Sequence, residues 1–257
     1  MSELLITRAG GVETWTLNRP QTRNALDRTL VAQLGQAVTA AETGGVEVVV
    51  LRGAGPSFCA GADLALLSGY DAMQGHTPRE HLTAIWDLTL AMERSPVTFV
   101  AVLHGHAIAG GLELALACDL VLAATGTLIG DGHVRHSLLA GGGASVRMVR
   151  DLGRPTATRL ALTGEFLPAE HPAFGTWLHT VAPPPELDEA LQALVATLTV
   201  VPAAARAGYK HMLTGANRPL GIADRDRELD AFDRNWVDND VPRALRDFLD
   251  KTRKATR

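Results

Sequence analysis

The chain has 257 residues, of which 46% are hydrophobic and 20% charged, a globular composition that at about 150 residues per domain fits one large domain or one domain with an appendage. A chain of this size buries roughly three quarters of its unfolded surface, so it needs no disulfide or metal to stabilise a core, and disorder and fibre are excluded. With 24 Lys+Arg against 28 Asp+Glu the net charge is -4, which excludes the basic footprint of a nucleic-acid or anionic-membrane binder.

Glu3 to Arg8 and Val12 to Leu17 are β-rich runs about Ala9-Gly10-Gly11, and their spacing predicts a hairpin. Asp27 caps a predicted helix whose apolar face is Leu30, Val31, Leu34, Val38 and Ala41, ending near Gly44-Gly45. Val46 to Leu51 is a buried strand, Gly53 to Pro56 a turn, Ser57 to Cys59 a short strand, and Ala60 to Asp63 a small-residue loop followed by a mobile segment around Ser68 to Gly75. Thr77-Pro78-Arg79-Glu80 has the capping-box pattern with Pro at the first helical position, and the helix it opens stops before Pro96.

Val97 to Leu103 is the next strand, Gly110 starts a helix, Leu120 to Ala123 and Thr127 to Ile129 are strands, and Ser145 to Leu152 and Pro155 to Leu162 are helices. Strand and helix alternate, giving the α/β class. After Pro183-Pro184-Pro185 the pattern is wholly helical, broken at Pro202, Gly221 and Pro242, which divides the chain into a core of residues 1–185 and a helical module of residues 186–257. Cys59 and Cys118 lie in no disulfide or metal-ligand pattern, and the start carries no basic segment followed by an apolar stretch, so a reducing, cytoplasmic setting is expected. No segment reaches the roughly 20 apolar residues of a membrane span.

Two segments carry the chemistry. In Val100 to Leu114 a buried strand runs through His104-Gly105-His106 into Ala109-Gly110-Gly111 and a helix bearing Glu113; the free N–H groups and positive end of that helix suit developing negative charge, and Glu113 suits general acid–base work. The competing structural reading has the glycines serving close helix–strand packing and Glu113 complementing the helix dipole. The second segment, Val48 to Leu64, is another strand feeding a small-residue loop that offers a second backbone donor.

Together with Leu17-Asn18-Arg19-Pro20-Gln21-Thr22-Arg23-Asn24-Ala25-Leu26, these segments resemble the enoyl-CoA hydratase/isomerase family, the crotonase superfamily, with three motifs in family order. The resemblance implies a crotonase-like α/β spiral of ββα units with a C-terminal helical module, assembled as a homotrimer or dimer of trimers and acting on an acyl-CoA thioester, with no cofactor beyond the coenzyme A of the substrate. It makes the Ala62 and Gly110 amides the oxyanion hole and assigns Arg23, Asn24, Ala25, Leu26, Ala60, Gly61, Asp63, Leu64 and Gly111 to substrate binding.

Glu113 matches one of two catalytic glutamates of the hydratases; the second falls, in Gly130-Asp131-Gly132-His133-Val134-Arg135-His136, on His133. Histidine exchanges protons, and its unperturbed pKa near 6.5 suits a general base at neutral pH; the bland reading of His133 is a pocket-wall residue bonded to Asp131. Asp63 reads as a loop-shaping residue, His104 and His106 as structural, and no metal site is supported. Met73, His76 and His81 fall where the family covers its acyl pocket, and Asp247, Lys251 and Lys254 where it often reaches a neighbour's CoA adenine. Addition of water to a 2-enoyl-CoA is the expected activity, with C–C bond or thioester hydrolysis or isomerisation using His133 as base, and a weakly active acyl-CoA binder, as alternatives.

Overall fold

The computed structural model describes residues 2–70, 77–216 and 220–255. β1 (Leu4–Ala9) and β2 (Val12–Leu17) form the expected antiparallel hairpin, with Ala9 opposite Val12 and Gly10 at a φ of 61° in the turn. α1 (Arg28–Thr43) begins where Asp27 accepts a 2.8 Å hydrogen bond from Leu30 N, and buries the apolar stripe legible in the sequence. β3 (Val48–Gly53) then lies parallel to β2, with Val48 beside Val12.

β4 (Thr98–Leu103) and β6 (Leu120–Ala124) extend the sheet, and β9 (Thr180–Ala182) closes it in the order β1-β2-β3-β4-β6-β9. β5 (His106–Ile108), β7 (Leu128–Gly130) and the two-residue β8 (Leu167–Pro168) form a second sheet. Two single bridges stitch loops onto this frame, Leu26 to Ala62 and Cys59 to Ala107. The larger sheet is buried on both faces: Val49, Leu51, Phe99 and Ala101 pack into the main core, and Val48, Val50, Val100 and Val102 into a smaller one under α7 (Pro184–Val200). Burial on two faces is why these strands read as unbroken β-branched runs.

The helices between strands are α2 (Leu64–Leu67), α3 (Arg79–Arg94), α4 (Gly110–Leu116), α5 (Ala144–Asp151) and α6 (Gly153–Thr163). α8 (Ala203–Ala216), α9 (Ile222–Asp238) and α10 (Val241–Ala255) complete the helical end of the chain. Leu229, Phe232, Trp236, Val241 and Leu245 belong to the same core as the sheet, so α9 and α10 are walls of the main body.

Several local expectations are corrected. Ser57 to Cys59 forms a single bridge instead of a strand. Pro78 sits at the N-cap of α3, one place earlier than expected, and the capping box does not form: Thr77 Oγ1 accepts only a long 3.4 Å bond from Arg79 N. Pro242 opens α10 from within its first turn, where a missing N–H costs nothing. Met73 and His76 lie outside the described residues.

Asn24 ties the loops together. Fully buried, its Nδ2 donates to Ala54 O, Ser57 O and Phe58 O at 2.9, 2.8 and 3.1 Å, while its Oδ1 accepts from Arg19 N at 2.9 Å. Asn24→Ala strands these partners and is expected to cost about 2–4 kcal/mol. Urea unfolding checks this, and a loss below about 0.5 kcal/mol, the range of an ordinary surface change, is incompatible with it.

Candidate active site

The two expected donors are neighbours. Gly61 has a φ of 95°, and a Cβ there would come 2.8 Å from Ala109 Cβ and 2.9 Å from Gly110 N; a Cβ on Gly110 would lie 3.3 Å from Ala62 N. Ala109 pays for the turn into α4 with a φ of 51° and ψ of -120°, a conformation costing on the order of 1–3 kcal/mol in a residue with a Cβ. It is held there by Ala109 N donating to Gly130 O at 3.0 Å and Ala109 O accepting from Glu113 N at 3.0 Å. Among the described residues no hydrogen bond takes up the N–H of Ala62 or of Gly110. A pair of preorganised amides left free in this way can hold an oxygen on which negative charge develops.

Ala62 and Ala109 line a cavity of about 70 Å³ together with Ala60, Leu64, His133 and Phe232. Larger grooves lie elsewhere, among them one of about 640 Å³ beside α8 and one of about 500 Å³ between α1 and α3. Neither joins free amides to an acid–base pair, and Lys210 in the first is already paired with Asp119 at 2.8 Å.

On the cavity wall His133 Nδ1 lies 2.9 Å from Asp131 Oδ1, the partner the sequence suggested. Burial alone would lower the histidine, but the Asp131 charge and hydrogen bond, aided by Glu113 and Glu228, outweigh it and push the imidazole up to about 9. Asp131 responds in kind: burial opposes its charge, yet His133 holds it below the usual carboxylate range. His81, His106 and His136 all move the other way, downward, with burial the leading cause. The pairing with Asp131 thus favours the protonated ring, opposite in direction to these three.

Glu113 is 2% exposed, and its Oε1 accepts from Gly142 N at 2.9 Å and Ala144 N at 3.2 Å. It thus complements the N-terminus of α5 while also standing in the first turn of its own helix, α4. A Cβ on Gly142 would sit 2.5 Å from Glu113 Oε2, and Gly143 has a φ of 102°. These glycines and Glu228 were not singled out in the sequence, although Ala140-Gly141-Gly142-Gly143-Ala144 was the available signal.

The remaining site residues divide by position. Ala60 and Leu64 face the cavity, Arg23 is exposed, and its charge reaches His106. Leu26 is buried beneath the donor loop, its N–H on Gly61 O at 2.7 Å, and Ala25 O accepts from Arg19. Asp63 Oδ1 caps α2 through Ala65 N and Leu66 N, and its other oxygen pairs with Arg19 at 3.0 Å. A Cβ on Gly111 would strike Cys59 O at 2.2 Å, so that glycine serves backbone approach. His104 Nε2 meets Gly55 O at 3.0 Å and His106 Nδ1 meets Ser57 Oγ at 3.2 Å. Among the described residues no group of three or more His, Cys, Asp or Glu is placed to hold a metal ion.

The family model described as enoyl-CoA hydratase/isomerase matches residues 7–256. A probable enoyl-CoA hydratase of Rhizobium meliloti is 35% identical over 192 residues, 74% of this chain and 73% of that protein. A crotonyl-CoA hydratase of Syntrophomonas wolfei is 30% identical over 246 residues, 93% of this chain and 91% of that one. A crystal structure of an enoyl-CoA hydratase from Mycobacterium avium subsp. paratuberculosis superposes with a TM-score of 0.86 at 29% identity, covering 95% of this chain and 98% of that one.

Since the folded-state midpoint of His133 lies above that of an unfolded chain, near 6.5, its pair with Asp131 stabilises the fold fully below about pH 6.5 and loses that contribution as pH rises through about 9. A nuclear magnetic resonance titration of the imidazole should show the midpoint near 9 and, in Asp131→Asn, a fall of about one unit or more. A midpoint near 6.5 in both proteins is the contrary result.

Proposed function

The chain belongs to the enoyl-CoA hydratase/isomerase family, and from that footing we propose that it adds water across the Cα=Cβ bond of a 2-enoyl-CoA thioester. The observation that supports this reading is the close approach of two amides with no hydrogen-bond partner among the described residues, Ala62 N and Gly110 N, beside a cavity lined by Ala62 and by His133 paired with Asp131. In the proposed reaction those amides hold the thioester oxygen. Glu113 accepts a proton from water as the hydroxide oxygen bonds to Cβ, and the electron pair of the double bond moves onto the thioester as an enolate. The His133 ring then gives its proton to Cα and becomes neutral, and solvent carries the proton from Glu113 back to the imidazole. Atoms and charge balance, and oxyanion stabilisation of this type is worth several kcal/mol of barrier.

Ala60, Gly61 and Leu64 are assigned to the thioester end of the substrate and the exposed Arg23 to a phosphate of coenzyme A, a group that a guanidinium recognises well. Asn24, Ala25, Leu26, Asp63 and Gly111 serve this binding by shaping the loops. C–C or thioester hydrolysis with His133 as general base needs the neutral ring, which its pairing with Asp131 makes scarce below about pH 9. The proposal extends to a homotrimer or dimer of trimers, supported by the exposed Tyr209, Met212 and Leu213 on α8, and to the cytoplasm, supported by free Cys59 and Cys118.

Turnover of crotonyl-CoA, followed by loss of enoyl absorbance and by mass, tests the reading. The parent should add water, and Glu113→Gln and His133→Ala should each lower kcat by about 10²–10⁴-fold. The rate should fall as pH rises through about 9, where the imidazolium is lost. Tight binding of crotonyl-CoA and longer 2-enoyl-CoA esters without hydration overturns the assignment in favour of an acyl-CoA-binding protein.

A further inference from the structure

Four successive amides lead into α5, and two carboxylates divide them alternately. Glu113 takes Gly142 N and Ala144 N, as described. Glu228, from α9, takes the others: its Oε1 accepts from Gly143 N at 2.7 Å, and its Oε2 from Ser145 N at 3.1 Å and from the Ser145 hydroxyl at closer range. Glu228 is 7% exposed, so both carboxylates sit out of water on the same short stretch of backbone. Burying two like charges side by side is costly even with helix amides to receive them. The apolar face of α9, through Leu229, Phe232 and Trp236, already anchors that helix in the core, so packing does not require the carboxylate.

We propose that Glu228 is a positioning residue for the acid–base pair: by gripping Gly143 and Ser145 it fixes the peptide planes between which Gly142 and Ala144 orient Glu113. The inference rests on the assignment of Glu113 and His133 as that pair. It places the C-terminal helical segment in control of the reaction centre, since the same helix lends Phe232 to the cavity wall. Rim contacts hold α9 in register for this grip, with Arg79 of α3 bridging Asp230 at 2.8 Å and Asp233 at 2.7 Å, and Asn235 Nδ2 donating to Ser137 O at 2.6 Å.

The charged groups that act on Glu228 are Glu113 from α4 and His133 from the loop after β7, while on α9 itself Arg225 pairs with Asp226 and Arg227 with Asp224. From α5, Arg147 donates to Gly142 O at 2.8 Å and to Glu93 of α3 at 2.7 Å. Burial and then the Glu113 charge raise the Glu228 carboxyl, and the Glu228 charge in turn helps hold His133 up. A neutral isostere therefore separates geometry from charge.

The experiment compares the full-length parent with Glu228→Gln, Glu228→Ala and Ser145→Ala. Three readouts are taken: kcat and KM for crotonyl-CoA across pH, the His133 imidazole titration, and thermal stability. Glu228→Ala should lower kcat by about 10- to 100-fold while KM stays within about twofold. Glu228→Gln should recover part of kcat yet move the His133 midpoint, and with it the alkaline limb, to lower pH. Ser145→Ala, which removes only the hydroxyl contact, should lower kcat less and in the same direction, and keeps the test open if Glu228→Ala does not fold. Folded variants that lose thermal stability alone, with kcat and the His133 midpoint as in the parent, would make Glu228 a helix cap and overturn the proposal. A parent that hydrates no enoyl-CoA defeats the hydratase reading instead. In that case a His133 midpoint that moves in Glu228→Gln supports the coupling, and one that stays put overturns it.

Discussion

Two stretches of main chain, residues 59–62 and 107–111, come into close backbone contact, and the site is organised around that contact. A Cβ at Gly61, Gly110 or Gly111 would meet backbone or a neighbouring Cβ at 2.2 to 3.3 Å. The same crowding recurs upstream, where a Cβ on Gly105 would stand 1.9 Å from Pro56 O. This close approach is what brings Ala62 N near the backbone of Gly110. The approach also forces Ala109 into positive φ, strain that the surrounding hydrogen bonds must hold. α4 starts at once from that turn, and all of its seven residues are buried, so the direction of Glu113 is set by the core and not by solvent.

Electrostatics follow from this burial. Carboxylates withdrawn from water need donors, and the chain supplies them from backbone: Glu113 and Glu228 share the entry to α5, while Glu93 lies between Arg147 and Arg150 at 2.7 and 2.6 Å. Burial would raise Glu93, but these two arginines hold it below the usual range. The contrast between these neighbours lies in what meets their charge. Glu93 has full cationic partners and is structural, whereas the Glu113 and Glu228 charges are met by amides and so remain felt by His133.

Much of this was legible in the sequence, for physical reasons particular to each element. α1 announced itself through its cap Asp27 and a 3.6-residue stripe, and β3, β4 and β6 through β-branched runs that reflect burial on both faces. The two small-residue loops were legible because each falls between a buried strand and a helix, where side chains would block the backbone approach seen at Gly61 and Gly111. β8 and β9, of two and three residues, carry too little periodicity to be seen, and α2 is a four-residue turn set by Asp63. Asp131 as the partner of His133 could be read from their spacing, but the sign of the resulting shift could not, because it depends on how deeply the fold buries the ring against the pull of Asp131, to which Glu113 and Glu228 add from distant segments. Glu228 itself was hidden among Asp224, Arg225, Asp226 and Arg227, where a charge reads as part of a solvated face. Only the fold turns that face toward Gly143.

In the proposed reaction, a histidine at position 133, where the resemblance places a carboxyl, alters more than proton supply. A neutral carboxylic acid places no charge beside the forming enolate and becomes an anion only as its proton quenches it, whereas an imidazolium starts as a cation and ends as a neutral ring. In the proposed reaction the cation therefore attracts the enolate as it forms and withdraws its charge only when the enolate is quenched, so electrostatic stabilisation and proton transfer run in the same direction. Asp131 sets the cost of this arrangement. By holding the ring near 9 it makes the acid abundant at neutral pH but weaker than an unperturbed histidine, and proton donation slows as the acid weakens. Glu113 and Glu228 add to the same pull, so the buried carboxylates that secure the cation also limit how readily it gives up its proton.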